Sequence, residues 1–457
     1  MTTQPRKVLF RIAITLALLL AVLLLALWIK PPDILRVGAN YSAKIICSNV
    51  FLAGRDPEEV LRSDVQAPGI ALLRLMHVSV DREHRVVRTG LLGFIGDGLA
   101  VARPAVGCAA VPDGDLDFAT HASVAAPTLP GASISPAASA GATELWPDGN
   151  AVATTSALDR ILADDTLAGP GMRALVVVKH GRIVAERYGA DFSAATPLLG
   201  WSMTKSVLAG LVGMLVKEGR LALDTSAGWP ASGDGRDKIR IADLLAMSSG
   251  LRFNEAYGVV SDVTRMLYLE RDVAGFARAQ PLLHPPGSVW SYSSGSANIL
   301  SRIVQDAAGS LAAAYPAEKL FKPLGMTSAT IETDEYGTLV GSSYMYATAR
   351  DWARYGQFLV QDGIWRGQEM LPRGYVAMMA TPAAASGGEY GQGLVWLSGA
   401  DAAYGIPADT FWLEGHDGQS MAVIRSRDLV IVRLGLTPSS LHYQPEFLVK
   451  AILDATG

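Results

Sequence analysis

Cysteine is nearly absent from this 457-residue chain, which has only Cys47 and Cys108. With no third thiol, cysteine-based catalysis has little to stand on. In an oxidising compartment such a pair commonly forms one disulfide, and closing that loop stabilises a fold by about 4 kcal/mol. Two independent buried thiols are the alternative reading. Charge is also sparse and balanced: 18% of residues are charged and the net charge is −4. There is no basic stripe interleaved with aromatics, so nucleic acid is not an expected partner. No H-E-x-x-H or comparable ligand spacing occurs, so no metal and no cofactor is implied. No internal repeat is found. Half the residues are hydrophobic, which excludes wholesale disorder, and the length allows one large domain or two ordinary ones.

What the chain does have is one long apolar run. Ile12 to Ile29 contains a single polar side chain, Thr15. Eighteen helical residues span about 27 Å, close to the hydrocarbon thickness of a bilayer. Arg6, Lys7 and Arg11 precede the run, and Pro31 and Pro32 stop it. The positive-inside bias then leaves residues 1–11 in the cytoplasm and carries the rest across. A cleaved signal peptide and a buried core helix are the competing readings. No A-x-A site follows directly, and the run exceeds the usual ~7–15 residues of a signal core. An uncleaved anchor at 12–29 is expected.

Residues 30–149 are expected to form an N-terminal extension and linker. Leu72 to Val80 and Arg85 to Thr89 alternate as strands do, with a turn near Asp81, whereas Val124 to Gly141 is rich in Ala, Ser and Pro and reads as a linker. A second domain is expected over 150–457. Ala174–Lys179 and Ile183–Arg187 flank a turn at His180-Gly181, a hairpin signature. A helix is predicted from Ser202 to Glu218, with Val207, Leu208, Leu211, Val212, Leu215 and Val216 at helical spacing and Gly219 as its cap. Residues 240–320 read as mostly helices and loops. Met421–Ile424 and Leu429–Leu434 form a second hairpin, and a helix over Glu446–Ala455 closes the chain. Strands at both ends with helices between predict an α+β fold: an antiparallel sheet flanked by helices, with a helical insertion.

Three stretches carry chemistry. In Trp201-Ser202-Met203-Thr204-Lys205, serine and lysine stand three residues apart at a helix start and share one helical face. A serine hydroxyl needs a neighbouring base, and a lysine serves if burial lowers its pKa. The helix N-terminus supplies N–H groups for an oxyanion. Next, Trp290-Ser291-Tyr292-Ser293-Ser294-Gly295 follows a Pro-Pro-Gly turn. A tyrosine there can move a proton, and a lysine ammonium beside it makes the phenolate more accessible. Third, Glu414-Gly415-His416-Asp417-Gly418-Gln419 precedes the last hairpin, and its glycines permit close backbone approach to a ligand. Judged alone, the second and third read as a packed loop aromatic and a glycine-rich surface turn.

Together and in this order, the three resemble the S-x-x-K, Y-x-S/N and Lys/His-x-Gly boxes of penicillin-recognising serine hydrolases. The chain resembles the class C β-lactamase-related superfamily, most of all its 6-aminohexanoate-dimer hydrolase-like members. Ile241–Leu251 (IADLLAMSSGL), Pro323–Met326 (PLGM), Gly341-Ser342-Ser343-Tyr344 and Ala347–Asp351 support the likeness, which covers roughly 150–450. The resemblance implies that Ser202 is acylated by an ester, amide or lactam, with Lys205 and Tyr292 sharing the proton work. It implies Ser294 as a relay, His416 and Gly418 as the third box, and the Ser202 and Gln419 N–H groups as the oxyanion hole. Tyr257 would line the cleft. The implied setting is a bacterial inner membrane with the catalytic domain in the periplasm. Ser294 in place of the family's Asn, and His416 in place of a lysine, argue against efficient antibiotic hydrolysis. The alternatives are a lactamase or D-alanyl peptidase of the same fold, or an idle binding protein of the cell envelope. A G-x-S-x-G serine hydrolase fits poorly, because Thr204 takes the second glycine's place.

Overall fold

The computed structural model describes residues 4–67, 70–121, 144–231, 233–398 and 401–457. The linker read at Val124–Gly141 lies outside them. The two hairpins seen in the sequence are halves of one sheet. Met172–Lys179 and Arg182–Tyr188, from the start of the domain, join Leu429–Gly435, Gln419–Ile424, Thr410–Gly415 and Trp396–Leu397 from its end. All five pairings are antiparallel. The first hairpin turns tightly, Lys179 opposite Arg182. Both turn residues have positive φ, 49° at His180 and 68° at Gly181. This matches the strand twist that two-residue hairpins require.

Both faces of the sheet are covered, so its central strands read as continuous apolar runs. Leu175, Val177, Ala422 and Ile431 pack under Ser156–Ala163 and Pro445–Thr456. Val176, Val178, Met421 and Val430 point the other way, into the main core with Val207, Leu211 and Phe358. Those last residues belong to two helices, Met203–Lys217 and Ala349–Val360. The expected helix thus starts one residue later, with Ser202 as its cap residue. A helical region, including Ser294–Ala308, lies beyond it.

The N-terminal extension is more ordered than its sequence suggested. Asp33–Phe51 is a helix laid on a four-stranded antiparallel meander of Met76–Asp81, Val86–Leu91, Ile95–Arg103 and Gly107–Ala110. The first strand starts later than the alternation implied, because Ala71–Leu75 coils into a short 3-10 turn. Cys47 and Cys108 are disulfide-bonded, with an S–S distance of 2.01 Å, tying helix to sheet. The extension shares one core with the region from residue 150 onward. The Lys44 ammonium pairs with the Glu332 carboxylate, both fully buried. Glu332 also accepts from the Ser48 hydroxyl (2.9 Å) and the Cys108 N–H (2.6 Å). Arg173, in the main sheet, bonds Asp64 of the extension at 2.7 Å.

Lys7–Ile29, with mean hydropathy 3.0, is the one helix among the described residues long and apolar enough to cross a membrane. An anchor and a signal sequence both meet that description.

Removing one partner of the buried pair leaves an uncompensated charge. Glu332→Ala is expected to destabilise the protein by about 3–5 kcal/mol, read as a lower thermal midpoint. Reduction with dithiothreitol should lower the midpoint as well. The bridge closes a loop of 61 residues, a constraint equivalent to about 4 kcal/mol. An unchanged midpoint in either experiment would remove that contact from the account of stability.

Candidate functional site

Ser202 caps the N-terminus of Met203–Lys217, and Trp201 before it has φ of 47°. A bulky residue in the left-handed region carries about 1–3 kcal/mol of strain. The turn that carries Ser202 packs against the end of the strand Thr410–Gly415. A Cβ on Gly415 would lie 2.2 Å from the Gly200 carbonyl oxygen, so only glycine permits this approach.

Lys205, one helical turn on, is 1% exposed. Its Nζ lies 2.9 Å from Ser202 Oγ, 3.1 Å from Ser294 Oγ and 2.8 Å from the Ser342 carbonyl oxygen. Burial lowers its pKa to about 8, against the opposing pull of the Glu255 carboxylate. The amine is therefore close to losing its proton near neutral pH.

Tyr292 arrives from the loop before Ser294–Ala308. Ser293 caps that helix, its hydroxyl accepting from the Ser296 N–H at 3.1 Å. The Ile241–Leu251 stretch braces the loop: the Ser291 N–H donates to the Met247 carbonyl and the Gly287 N–H to the Ser248 carbonyl, both at 2.8 Å. The Ser202 side chain is near enough to favour ionisation of the Tyr292 phenol, against the larger opposing effects, and Lys205 Nζ lies 4.9 Å from its ring centroid. Its ring stacks on Trp396 at 5.3 Å and meets Tyr390 edge-on at 5.9 Å. One expectation is corrected here. The phenolate is not made more accessible: burial, reinforced by Glu255, pushes the phenol well above its ordinary value. Tyr292 holds its proton.

Glu255 escaped the sequence reading. It accepts from the Ser294 N–H at 2.8 Å and from the Ser294 hydroxyl, and the Tyr257 hydroxyl lies 3.4 Å away. The carboxylate thus acts on Lys205 through Ser294. Its partner is 39 residues away, and nothing in N-E-A-Y marks the pairing.

The third stretch also converges on the site. The His416 ring stacks on Tyr257 at 4.8 Å and meets Trp201 edge-on at 5.5 Å. Asp417 has φ of 57°, and its buried carboxyl is raised by desolvation, with His416 and Arg173 opposing. Gly418 turns the backbone at φ 77°, and its carbonyl accepts from Arg433 at 2.8 Å. The Gln419 side chain donates to the carbonyls of His416 (3.0 Å), Asp417 (3.1 Å) and Gly435 (2.7 Å), clamping the turn to the neighbouring strand. Ser202, Lys205, Tyr292 and Ser294 therefore cluster, with Tyr257 and His416 beside them, whereas Gly418 and Gln419 make their bonds to Arg433 and Gly435 of the neighbouring strand. Cys47 and Cys108 stand apart in the extension. Among the described residues no His, Cys, Asp and Glu cluster could hold a metal ion.

Comparison with known proteins places this arrangement. A 6-aminohexanoate-dimer hydrolase from Paenarthrobacter ureafaciens is 25% identical over 219 residues, 44% of this chain and 55% of that protein. The chain thus matches about half the length of that relative. A penicillin-binding protein homologue from Caulobacter crescentus superposes with a TM-score of 0.53 at 17% identity, covering 67% of this chain and 99% of the other. The hydrolase EstCE1, with promiscuous acyltransferase activity, gives 0.52 at 18% identity, covering 64% and 97%. These likenesses establish the fold. The beta-lactamase family model matches residues 158–440, a span that holds the sheet and all three stretches, and the chain belongs to the beta-lactamase family.

Proposed function

We propose that the protein is a serine hydrolase that cleaves carboxylic esters or small amides through an acyl-enzyme on Ser202. The observation that carries this reading is the buried Lys205 amine 2.9 Å from Ser202 Oγ, its pKa lowered to about 8. A neutral amine has two N–H donors and one lone pair. Its three neighbours match that count when Ser342 O and Ser294 Oγ accept and the Ser202 hydroxyl donates. In that state Lys205 is set to take the serine proton.

The Ser202 oxygen bonds to the substrate carbonyl carbon as its proton passes to Lys205 Nζ. The carbonyl electron pair moves to oxygen, where the N–H groups of Ser202 and Gln419 serve as the oxyanion hole. Collapse breaks the bond to the leaving group. Tyr292, which keeps its phenolic proton, donates it to the departing oxygen or nitrogen and is replenished from the Lys205 ammonium. Water then attacks the acyl-enzyme by the same route reversed, freeing the acid and Ser202. Ser294 and Glu255 hold the amine and balance its charge. Tyr257 and His416 wall the cleft.

In this proposal residues 12–29 tether the protein to a bacterial inner membrane, and the catalytic domain, 150–457, works in the periplasm. The Cys47–Cys108 disulfide supports an oxidising compartment.

Ser202→Ala is expected to lower p-nitrophenyl ester turnover by about four orders of magnitude or more and to abolish fluorophosphonate labelling. Full activity in that variant would end the assignment. With Lys205 as base, kcat/KM should rise with pH through an apparent pKa of about 8. Because Glu255 raises that value, Glu255→Gln should shift the limb to lower pH. A limb that stays put would detach Glu255 from the base. A panel of short esters, a chromogenic cephalosporin, D-alanyl peptides and aminohexanoate dimer should show the esters or amides turned over fastest. The cephalosporin should be slow, given Ser294 and His416.

A further inference from the structure

We propose that a cavity between the N-terminal extension and the residues beside Ser202 receives the acyl chain of the substrate, so that linear, long-chain acyl esters or amides are the preferred class. The inference rests on the Ser202 reading above and adds which way the substrate lies. The cavity measures about 200 Å³. From the extension it is lined by Val37, Leu72 and Leu73, and from the catalytic side by Trp201, Tyr257 and His416. An apolar cavity of about 150 Å³ accommodates a benzene ring, so this one has room for a chain of several methylenes. The hydroxyl of Thr264, a polar residue on the wall, already donates to the Val259 carbonyl at 2.8 Å. Asp417, the carboxylate on the wall, belongs to the turn beside His416.

Continuity with the reacting centre sets the occupant. Trp201 precedes the nucleophile, and the stacked Tyr257–His416 pair lines the cavity, with the Tyr257 hydroxyl 3.4 Å from Glu255, the partner of Ser294. The leaving group has to reach the Tyr292 phenol. That ring stacks on Trp396 and meets Tyr390 edge-on, and none of these three rings lines the cavity. The substituent on the other side of the carbonyl carbon is the acyl chain, and it extends past Trp201 and His416 into the apolar space.

The rim supports the same class. Ile34, Ile70 and Val259 line the cavity and yet are 39%, 49% and 51% exposed. Ile34 is five residues beyond the apolar run, at most about 17 Å away even along an extended chain. A lipophilic substrate dissolved in the bilayer would meet this rim first.

The test uses the full chain in nanodiscs with p-nitrophenyl esters from acetate to decanoate. The expected kcat/KM rises about fourfold per methylene to a maximum and then falls, whereas acetate esters of lengthening alcohols give a flat series. Val37→Phe, which fills the cavity, and Ile70→Asp, which makes its exposed rim polar, should each flatten the acyl slope. A flat acyl series in wild-type protein that is still labelled by fluorophosphonate at Ser202 overturns the cavity assignment and leaves the nucleophile standing. A steeper slope on the alcohol side overturns it too. A second measurement needs no catalysis: calorimetry of decan-2-one on Ser202→Ala protein, after subtraction of empty nanodiscs. Binding weakened by Val37→Phe and by Ile70→Asp supports the cavity whatever Ser202 does. Absence of binding, or binding indifferent to both changes, overturns it.

Discussion

A lysine amine held out of water is the constraint from which the rest of the site follows. Lys205 lies on a helix buried along nearly all its length, between the large sheet and the helical region that carries Tyr292. An ammonium in such a place pays a desolvation penalty unless a counter-ion touches it. Here the nearest carboxylate, Glu255, reaches it only through the Ser294 hydroxyl. That one-residue gap matters. In the proposed mechanism, direct contact would favour the protonated amine and weaken the base, and removing the carboxylate would leave the protonated lysine without support. A serine between them leaves the amine balanced between its two states. The substitution of Ser294 for the family's asparagine is therefore compatible with proton transfer in the proposed mechanism.

How much of this was legible depends on the range over which each contact acts. The pairing of Ser202 with Lys205 is a property of helix geometry three residues apart, and the sequence carries it outright. The hairpins were readable for the same reason, because His180-Gly181 and the apolar runs around it are local. The order of strands, helices and strands pointed to one antiparallel sheet, but which strands would pair was not readable locally, because Val430 meets Val178 from the far end of the domain. Glu255 and Glu332 were invisible because their partners are far off and no periodicity accompanies them. The helix Asp33–Phe51 was missed for a different reason. It buries Asn40, Ser42, Lys44, Ser48 and Asn49 among its apolar residues, so its hydrophobic pattern has no polar face to contrast with.

Those polar residues explain why the extension is no loose appendage. Asn40 donates to the Tyr268 carbonyl at 2.9 Å and accepts from the Leu99 N–H at 3.1 Å. Arg103 reaches the Thr333 carbonyl at 3.0 Å. Each bond is directional and buried, so each fixes position where apolar packing alone tolerates sliding. The disulfide adjoins the Lys44–Glu332 pair through the Cys108 N–H, holding the most expensive contact in register. The result is a rigid wall supplied by residues outside the family match and set against residues within it.

The third stretch completes the logic of that wall. A lysine at position 416 would place a compact, strongly hydrated charge at the junction of cleft and cavity. An imidazole is planar, and here one face lies on Tyr257 with an edge contact to Trp201, while the side chain stays 40% exposed. Such a ring can border an apolar chain, whereas an ammonium there would draw water into the passage. Under the proposed reading, histidine rather than lysine here offers no fixed cation to a substrate carboxylate and a ring surface to a substrate hydrocarbon. In the proposed reading, a histidine at 416 and the apolar lining from the extension act in the same direction, although they lie more than three hundred residues apart.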